Sequence, residues 1–297
     1  MILKTFYILM ILLFLAEVLV IYLKDRERIR EEQGSIVYYS LCGFLVYVVT
    51  SLGVSDSALN TLAFRRKRYV PMEDLPGTLV TCAVVPFCTM SYAYLSYIDM
   101  SLGKILILAA ASAAGSYFGA SVVSRCPQRI IRLMVMTALT ASACVLVAKL
   151  LFPVSGGDTG IQMTDGQTAL TAVCVFFLMA FGMVGLSATA PIASIFMVMG
   201  MPAASAIAVA IVISSFGCCM GGIKYASTGR FQLKAVFCEI PFGVLGSLVG
   251  VKLIRFIPDL ALQVFMLAVI SFAVVFLVRD KEEDTAGIKE GKDAAAK

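Results

Sequence analysis

Ile36–Phe64 reads IVYYSLCGFLVYVVTSLGVSDSALNTLAF, 29 residues of mostly apolar chain interrupted near the middle by Gly53-Val54-Ser55-Asp56-Ser57. As one straight α-helix it would extend about 44 Å, well beyond a hydrocarbon core of about 30 Å. The break therefore marks either a kinked span or a re-entrant hairpin that turns at mid-membrane. Charge favours the hairpin. Lys24, Arg26, Arg28 and Arg30 precede the stretch, and Arg65, Arg66, Lys67 and Arg68 close it. Basic residues prefer the cytoplasmic side. A hairpin puts both flanks there, and a single span cannot.

Composition sets the solvent. Hydrophobic residues make up 60% of the 297, charged residues only 14%, and the mean hydropathy is +0.93. A chain this apolar cannot cover its surface by folding on itself, so a bilayer must surround much of it. Met1–Leu23 is apolar apart from Lys4 and Glu17 and lacks a basic start and a small-residue cleavage site. It reads as a retained helix and not as a signal peptide. The net charge of +5 is scattered, which suits loops facing anionic lipid and not nucleic acid. The nine cysteines lie mostly in apolar runs without a C-x-x-C, and histidine is absent. That excludes Ser–His and Cys–His catalysis and removes the commonest transition-metal ligand, so neither enzyme nor cofactor is expected. No G-x-x-x-x-G-K-[ST] is present to bind ATP.

The break recurs. Gly53-Val54-Ser55-Asp56-Ser57-Ala58 faces Gly185-Leu186-Ser187-Ala188-Thr189-Ala190 after one residue of slippage. Downstream, an offset of 131 carries Pro71 onto Pro202, Leu102 onto Leu233, Pro127 onto Pro258 and Gly115-Ser116-Tyr117-Phe118-Gly119 onto Gly246-Ser247-Leu248-Val249-Gly250. Two copies of one unit follow. Each starts with an interrupted stretch, Ile36–Phe64 or Thr168–Gly200. Three helices come next: about 75–95, 102–124 and 128–152, then about 203–223, 233–252 and 259–279. The expected fold is all-α and polytopic: residues 1–35 an extra helix and charged loop, 36–152 the first repeat, 153–167 an extracytoplasmic linker, 168–279 the second repeat, and 280–297 a disordered charged tail. With hairpins, the second repeat starts outside and is inverted. Lys252 and Arg255 fit that less well, and parallel repeats of four spans each are the alternative. The Gly-x-x-x-Gly pairs read as close helix packing.

Broken helices at mid-membrane direct helix N-termini at a cavity, and such an end favours an anion. Ser55, Ser57 and Asn60 at the first break and Ser187 and Thr189 at the second are candidates to bind it. Capping of helix ends is the competing role for these hydroxyls. Thr78, Thr81, Ser214 and Ser215 on the following helices are candidate lining. Asp56 and Glu239 are intramembrane acids, expensive unless paired, protonated or wet, and are candidate proton carriers. Pro241, two residues on, opens the hydrogen-bond ladder near Glu239. A lysine such as Lys224 or Lys252 is the alternative partner for Glu239.

Gly182-Met183-Val184-Gly185-Leu186-Ser187-Ala188-Thr189-Ala190-Pro191, Gly200-Met201-Pro202, Lys224-Tyr225-Ala226-Ser227-Thr228-Gly229-Arg230-Phe231 and the paired glycines after them resemble the TauE/SafE family of sulfite exporters and toluene-sulfonate uptake permeases. The resemblance spans about residues 36–279. The first break departs from it, with no proline before Pro71. The resemblance implies proton-coupled secondary transport of sulfite, sulfoacetate or a related organosulfonate across the cell (inner or plasma) membrane. Its partners would be the anion, protons and lipid, with homo-oligomerisation left open. A channel-like pore of the same fold, or transport of another small anion or metabolite, is the alternative.

Overall fold

In the computed structural model the described residues are 2–24, 26–67, 69–71, 74–95, 98, 100–123, 163–183 and 187–258, with a few positions up to 268. The helices expected at 128–152 and 259–279, most of the linker and the charged tail lie outside them. Among the described residues there is no strand. The helices are α1 (Ile2–Lys24), α2 (Arg26–Glu31), α3 (Ile36–Thr50), α4 (Asp56–Lys67), α5 (Leu75–Tyr94), α6 (Leu102–Val123), α7 (Asp165–Gly182), α8 (Thr189–Val198), α9 (Ala203–Thr228) and α10 (Leu233–Leu253). Five of them, α5, α6, α7, α9 and α10, are long and apolar enough to cross a membrane. The chain is a multi-pass membrane protein.

The break in the first stretch is a turn, and α3 and α4 fold back on each other. The Tyr38 hydroxyl donates to the Ala63 carbonyl at 2.9 Å, and the Tyr39 and Phe64 rings meet edge to face at 5.5 Å. In a straight helix those 25 residues would span about 38 Å. Gly53, at φ +92°, supplies the turn, a backbone region that costs other L-residues strain. The second stretch is interrupted where expected, α7 ending at Gly182 and α8 starting at Thr189. Helix α9 runs five residues beyond the expected 223 and ends at Gly229 in the left-handed conformation.

Helices α5 and α9 are buried along most of their length and form the centre. They run antiparallel. A Cβ on Gly221 would touch Val80, Cys88 and Cys219 lie sulfur to sulfur at 3.2 Å, and the Ser91 hydroxyl donates to the Ile211 carbonyl. Around this pair the stretches exchange partners. Helix α3 packs on α10, and α7 on α6. Both contacts are parallel and use the paired glycines. Cβ atoms on Gly246 and Gly250 would collide with the carbonyls of Phe44 and Val48, and on Gly115 and Gly119 with those of Phe176 and Ala180. The glycines repeat at 131 and their carbonyl partners at 132, which is where the sequence needed its one slipped residue.

The glycine contacts yield a measurable consequence. Gly246→Ala and Gly115→Ala each force two backbones apart, and each is expected to cost about 1–3 kcal/mol. Thermal unfolding in detergent should show both losses, while Gly103→Ala, with open space around its Cβ position, leaves the midpoint in place.

Candidate functional site

A helix that stops inside a membrane leaves carbonyl groups that lipid cannot satisfy. Here each break is closed by a tyrosine. The Tyr94 hydroxyl at the end of α5 donates to the carbonyl of Ser51, the residue after α3, at 2.7 Å. The Tyr225 hydroxyl on α9 donates to the carbonyl of Met183, the residue after α7, at 2.5 Å. These tyrosines stand 131 apart, and their acceptors 132.

Between the two breaks lies a cavity. Asp56 and Ser57 line it from the start of α4, and Ser187, Ala188 and Thr189 from the start of α8. Val80, Ala83 and Phe87 of α5 form one wall and Ser214 and Cys218 of α9 the other, with Met179, Gly182 and Met183 closing the end of α7. Its free volume, about 20 Å³, accommodates about one water. Ala83 and Ser214, Phe87 and Cys218, and Ser57 and Thr189 are pairs at the repeat offsets, so the cavity straddles the boundary between copies.

Its chemistry is unequal. Ser55 accepts from the Ala58 N–H at 3.1 Å and caps α4, while Ala188 offers α8 no side-chain cap. Pro191 has no N–H and the Ile192 N–H bonds to the Ala188 carbonyl, so the N–H groups of Thr189 and Ala190 are the ones that the Ala188 side chain leaves uncapped. The Thr189 hydroxyl lies 3.2 Å from that of Ser187 and 3.5 Å from that of Ser214. The Asp56 carboxyl adjoins them, in reach of the Ser187 and Ser57 hydroxyls and with Oδ1 unpartnered among the described residues. Among the described residues, no Lys or Arg lines the cavity.

Several expected lining residues sit elsewhere. Ser55 is a cap. The Thr78 hydroxyl donates to the Asp74 carbonyl and accepts from the Gln232 N–H, and Thr81 returns its hydrogen to Gly77 of its own helix. Ser215 bonds to Tyr7 of α1 and to the Val212 carbonyl. Asn60 faces Glu239, donating from Nδ2 to Oε1 at 2.5 Å. Glu239 is fully buried and does not line the cavity. Neither lysine is its partner: Lys224 lies over the Tyr117 ring, and Lys252 is exposed 252 − 239 = 13 residues further along α10. Cys82 bonds it as well.

Sequence reasoning missed Cys218, Met179, Met183 and Tyr47. The methionines read as packing, yet Met179 is the 132-offset counterpart of Tyr47, a lead the repeat itself contained. It also missed the buried Gln232, which ties three elements together at the basic end of the bundle. Its Oε1 accepts from Tyr39, and its Nε2 donates to the carbonyls of Gln33 and Tyr69. Among the described residues no group of His, Cys, Asp or Glu is arranged to hold a metal ion.

Residues 168–296 match the family model described as Sulfite exporter TauE/SafE, the family that the sequence resembles. No curated protein and no solved structure matches the chain. The match covers the region of the second repeat and the tail, less than half of the chain.

The two tyrosines should matter equally. Tyr94→Phe and Tyr225→Phe each orphan a buried carbonyl, with an expected loss of about 1–3 kcal/mol. Unfolding midpoints that match the parent protein for both variants would show that the breaks do not need them.

Proposed function

We propose that this chain is a proton-coupled secondary transporter of a small sulfur-containing oxyanion such as sulfite, sulfoacetate or a related organosulfonate. The observation that carries the reading is the cavity between the two breaks. One end presents the uncapped start of α8 with the hydroxyls of Ser187, Thr189 and Ser214, a set of donors suited to oxyanion oxygens. Among the described residues no Lys or Arg joins them, so the reading rests on neutral donors.

Asp56 supplies the coupling. An ionised carboxylate beside a bound anion is repulsive, and both gain if the carboxyl takes up a proton. Anion and proton then bind together and leave together. The cavity as it stands holds about one water, so the walls must part for sulfite and further for larger sulfonates. A channel is less consistent with it, because a continuous pore would have to pass a space of one water.

Antiparallel α5 and α9, with stretches that exchange partners, support two copies inverted about an axis in the membrane plane. Rocking one copy against the other would expose the cavity alternately to each side. The hairpin of α3 and α4 supports placing both basic flanks on the cytoplasmic side.

Reconstituted protein should carry sulfite, with counterflow and saturation, faster under an inward pH gradient. Sulfate, sulfoacetate and a carboxylate are the comparison anions. No response to any anion, with or without the gradient, would sink the proposal. Ser214→Ala should weaken sulfite affinity by roughly two- to tenfold, the range of one hydrogen bond, and Thr81→Val should not. Because the chain has no tryptophan, a ligand-dependent shift of the unfolding temperature is the practical readout.

A further inference from the structure

Four buried side-chain atoms without a protein partner among the described residues gather on one side of the cavity: Asp56 Oδ1, Asn60 Oδ1, Tyr47 Oη and Glu239 Oε2. Buried polar atoms are almost always paired, with protein or with ordered water. Four together mark a place for water. They also stand in order. Asn60 follows Asp56 by one turn of α4, about 6 Å toward the basic end, and holds Glu239 through Nδ2. Glu239 lies six residues into α10, about 9 Å from its start.

Tyr47 completes the set from α3. Its ring packs against the Cβ position of Gly243, one turn beyond Glu239, while Gly43, one turn before Tyr47, has Glu239 against its own Cβ position. The tyrosine hydroxyl interacts electrostatically with both Glu239 and Asp56. The other titratable groups facing Glu239 are thiols: Cys42 of α3 and Cys82 of α5, with Cys238 beside it on α10. No lysine or arginine is among them, so nothing fixes a permanent charge on the carboxyl.

We infer that Glu239, Asn60, Tyr47 and Asp56 enclose a short file of water that carries the coupling proton between the basic end of the bundle and the cavity, by a route the anion does not share. The inference rests on the proton-coupled reading above. Outside the cavity, Asn60 is a positioning residue that holds a water by its unpartnered oxygen, and Tyr47 both holds a water and passes the proton through its hydroxyl. The proton leaves Glu239 Oε2, hops through the water and the Tyr47 hydroxyl, and ends bonded to Asp56 Oδ1. Each hop breaks one O–H bond and forms another, and no oxidant or further reactant enters. The equivalent positions carry no acid or amide: the offsets place Leu108 opposite Glu239, Ile192 opposite Asn60 and Met179 opposite Tyr47, although the buried hydroxyls of Ser112 and Ser116, near Met179, are also without a partner among the described residues.

The test uses the full chain in proteoliposomes with an internal pH indicator, sulfite as the probe, and sulfite counterflow measured in parallel. Tyr47→Phe and Glu239→Gln are expected to slow sulfite-driven proton movement by roughly tenfold or more relative to counterflow, the lower range for losing a positioned proton-transfer group. Asn60→Ser, which keeps an oxygen near the same place, should fall between these variants and the parent protein. A residue with only a structural role would lower both fluxes together, and that outcome overturns the inference. So does proton movement that keeps its ratio to counterflow in Tyr47→Phe and Glu239→Gln. If the parent protein moves sulfite without protons, or moves no anion, the underlying transport reading fails, a result separable from failure of the water file alone.

Discussion

Everything in this architecture follows from stopping a helix inside lipid. The last carbonyls of α3 and α7 and the first N–H groups of α4 and α8 have no water to turn to. The protein treats the two kinds of orphan differently. Carbonyls are silenced by Tyr94 and Tyr225, each delivered from the central helix of its own copy. The N–H groups are left to the cavity, muted at α4 by the Ser55 cap and open at α8. A tyrosine suits the first task because its ring buries in an apolar wall while its hydroxyl reaches the backbone.

Sequence alone exposes the breaks because a straight span in lipid has no use for clustered glycine and serine, which weaken a helix and carry polar groups. It exposes the repeat because backbone contacts tolerate only certain residues. Gly115 and Gly246 must be glycine for their helices to touch carbonyls, so they stay in register. The choice between kink and hairpin needed charge, and the Tyr38–Ala63 bond gives it a physical form.

The facing of individual side chains was much less legible. Thr78, Thr81 and Ser215 are polar residues in buried helices, and pattern cannot say whether a hydroxyl turns to a cavity or back to its own helix. All three turn to backbone or to a neighbouring side chain. Asn60 sits on the α4 face that meets α10, a pairing between residues 179 apart that only the tertiary fold creates. Glu239 was visible as an oddity, an acid in an apolar helix, but the lysines close to it in sequence were the wrong place to seek its partner. The cavity is thus paired in backbone and unequal in chemistry: Ser187, Thr189 and Ser214 come from the second repeat, and Asp56, its one carboxyl among the described residues, from the first.

The exchange of partners between copies also bears on how the chain is made. Helix α3 finds its glycine-lined seat on α10, whose Gly246 follows Phe44 by 246 − 44 = 202 residues. At about 5–20 residues per second that interval is roughly ten seconds or more. Throughout it, the first hairpin stands in the bilayer with a face shaped for a helix not yet synthesised. Lipid, the insertion machinery or α1 must shelter that face in the meantime. The central pair likewise closes only when α9 arrives to set Cys219 against Cys88. The contacts of α3 with α10 and of α6 with α7 thus join early chain to late chain.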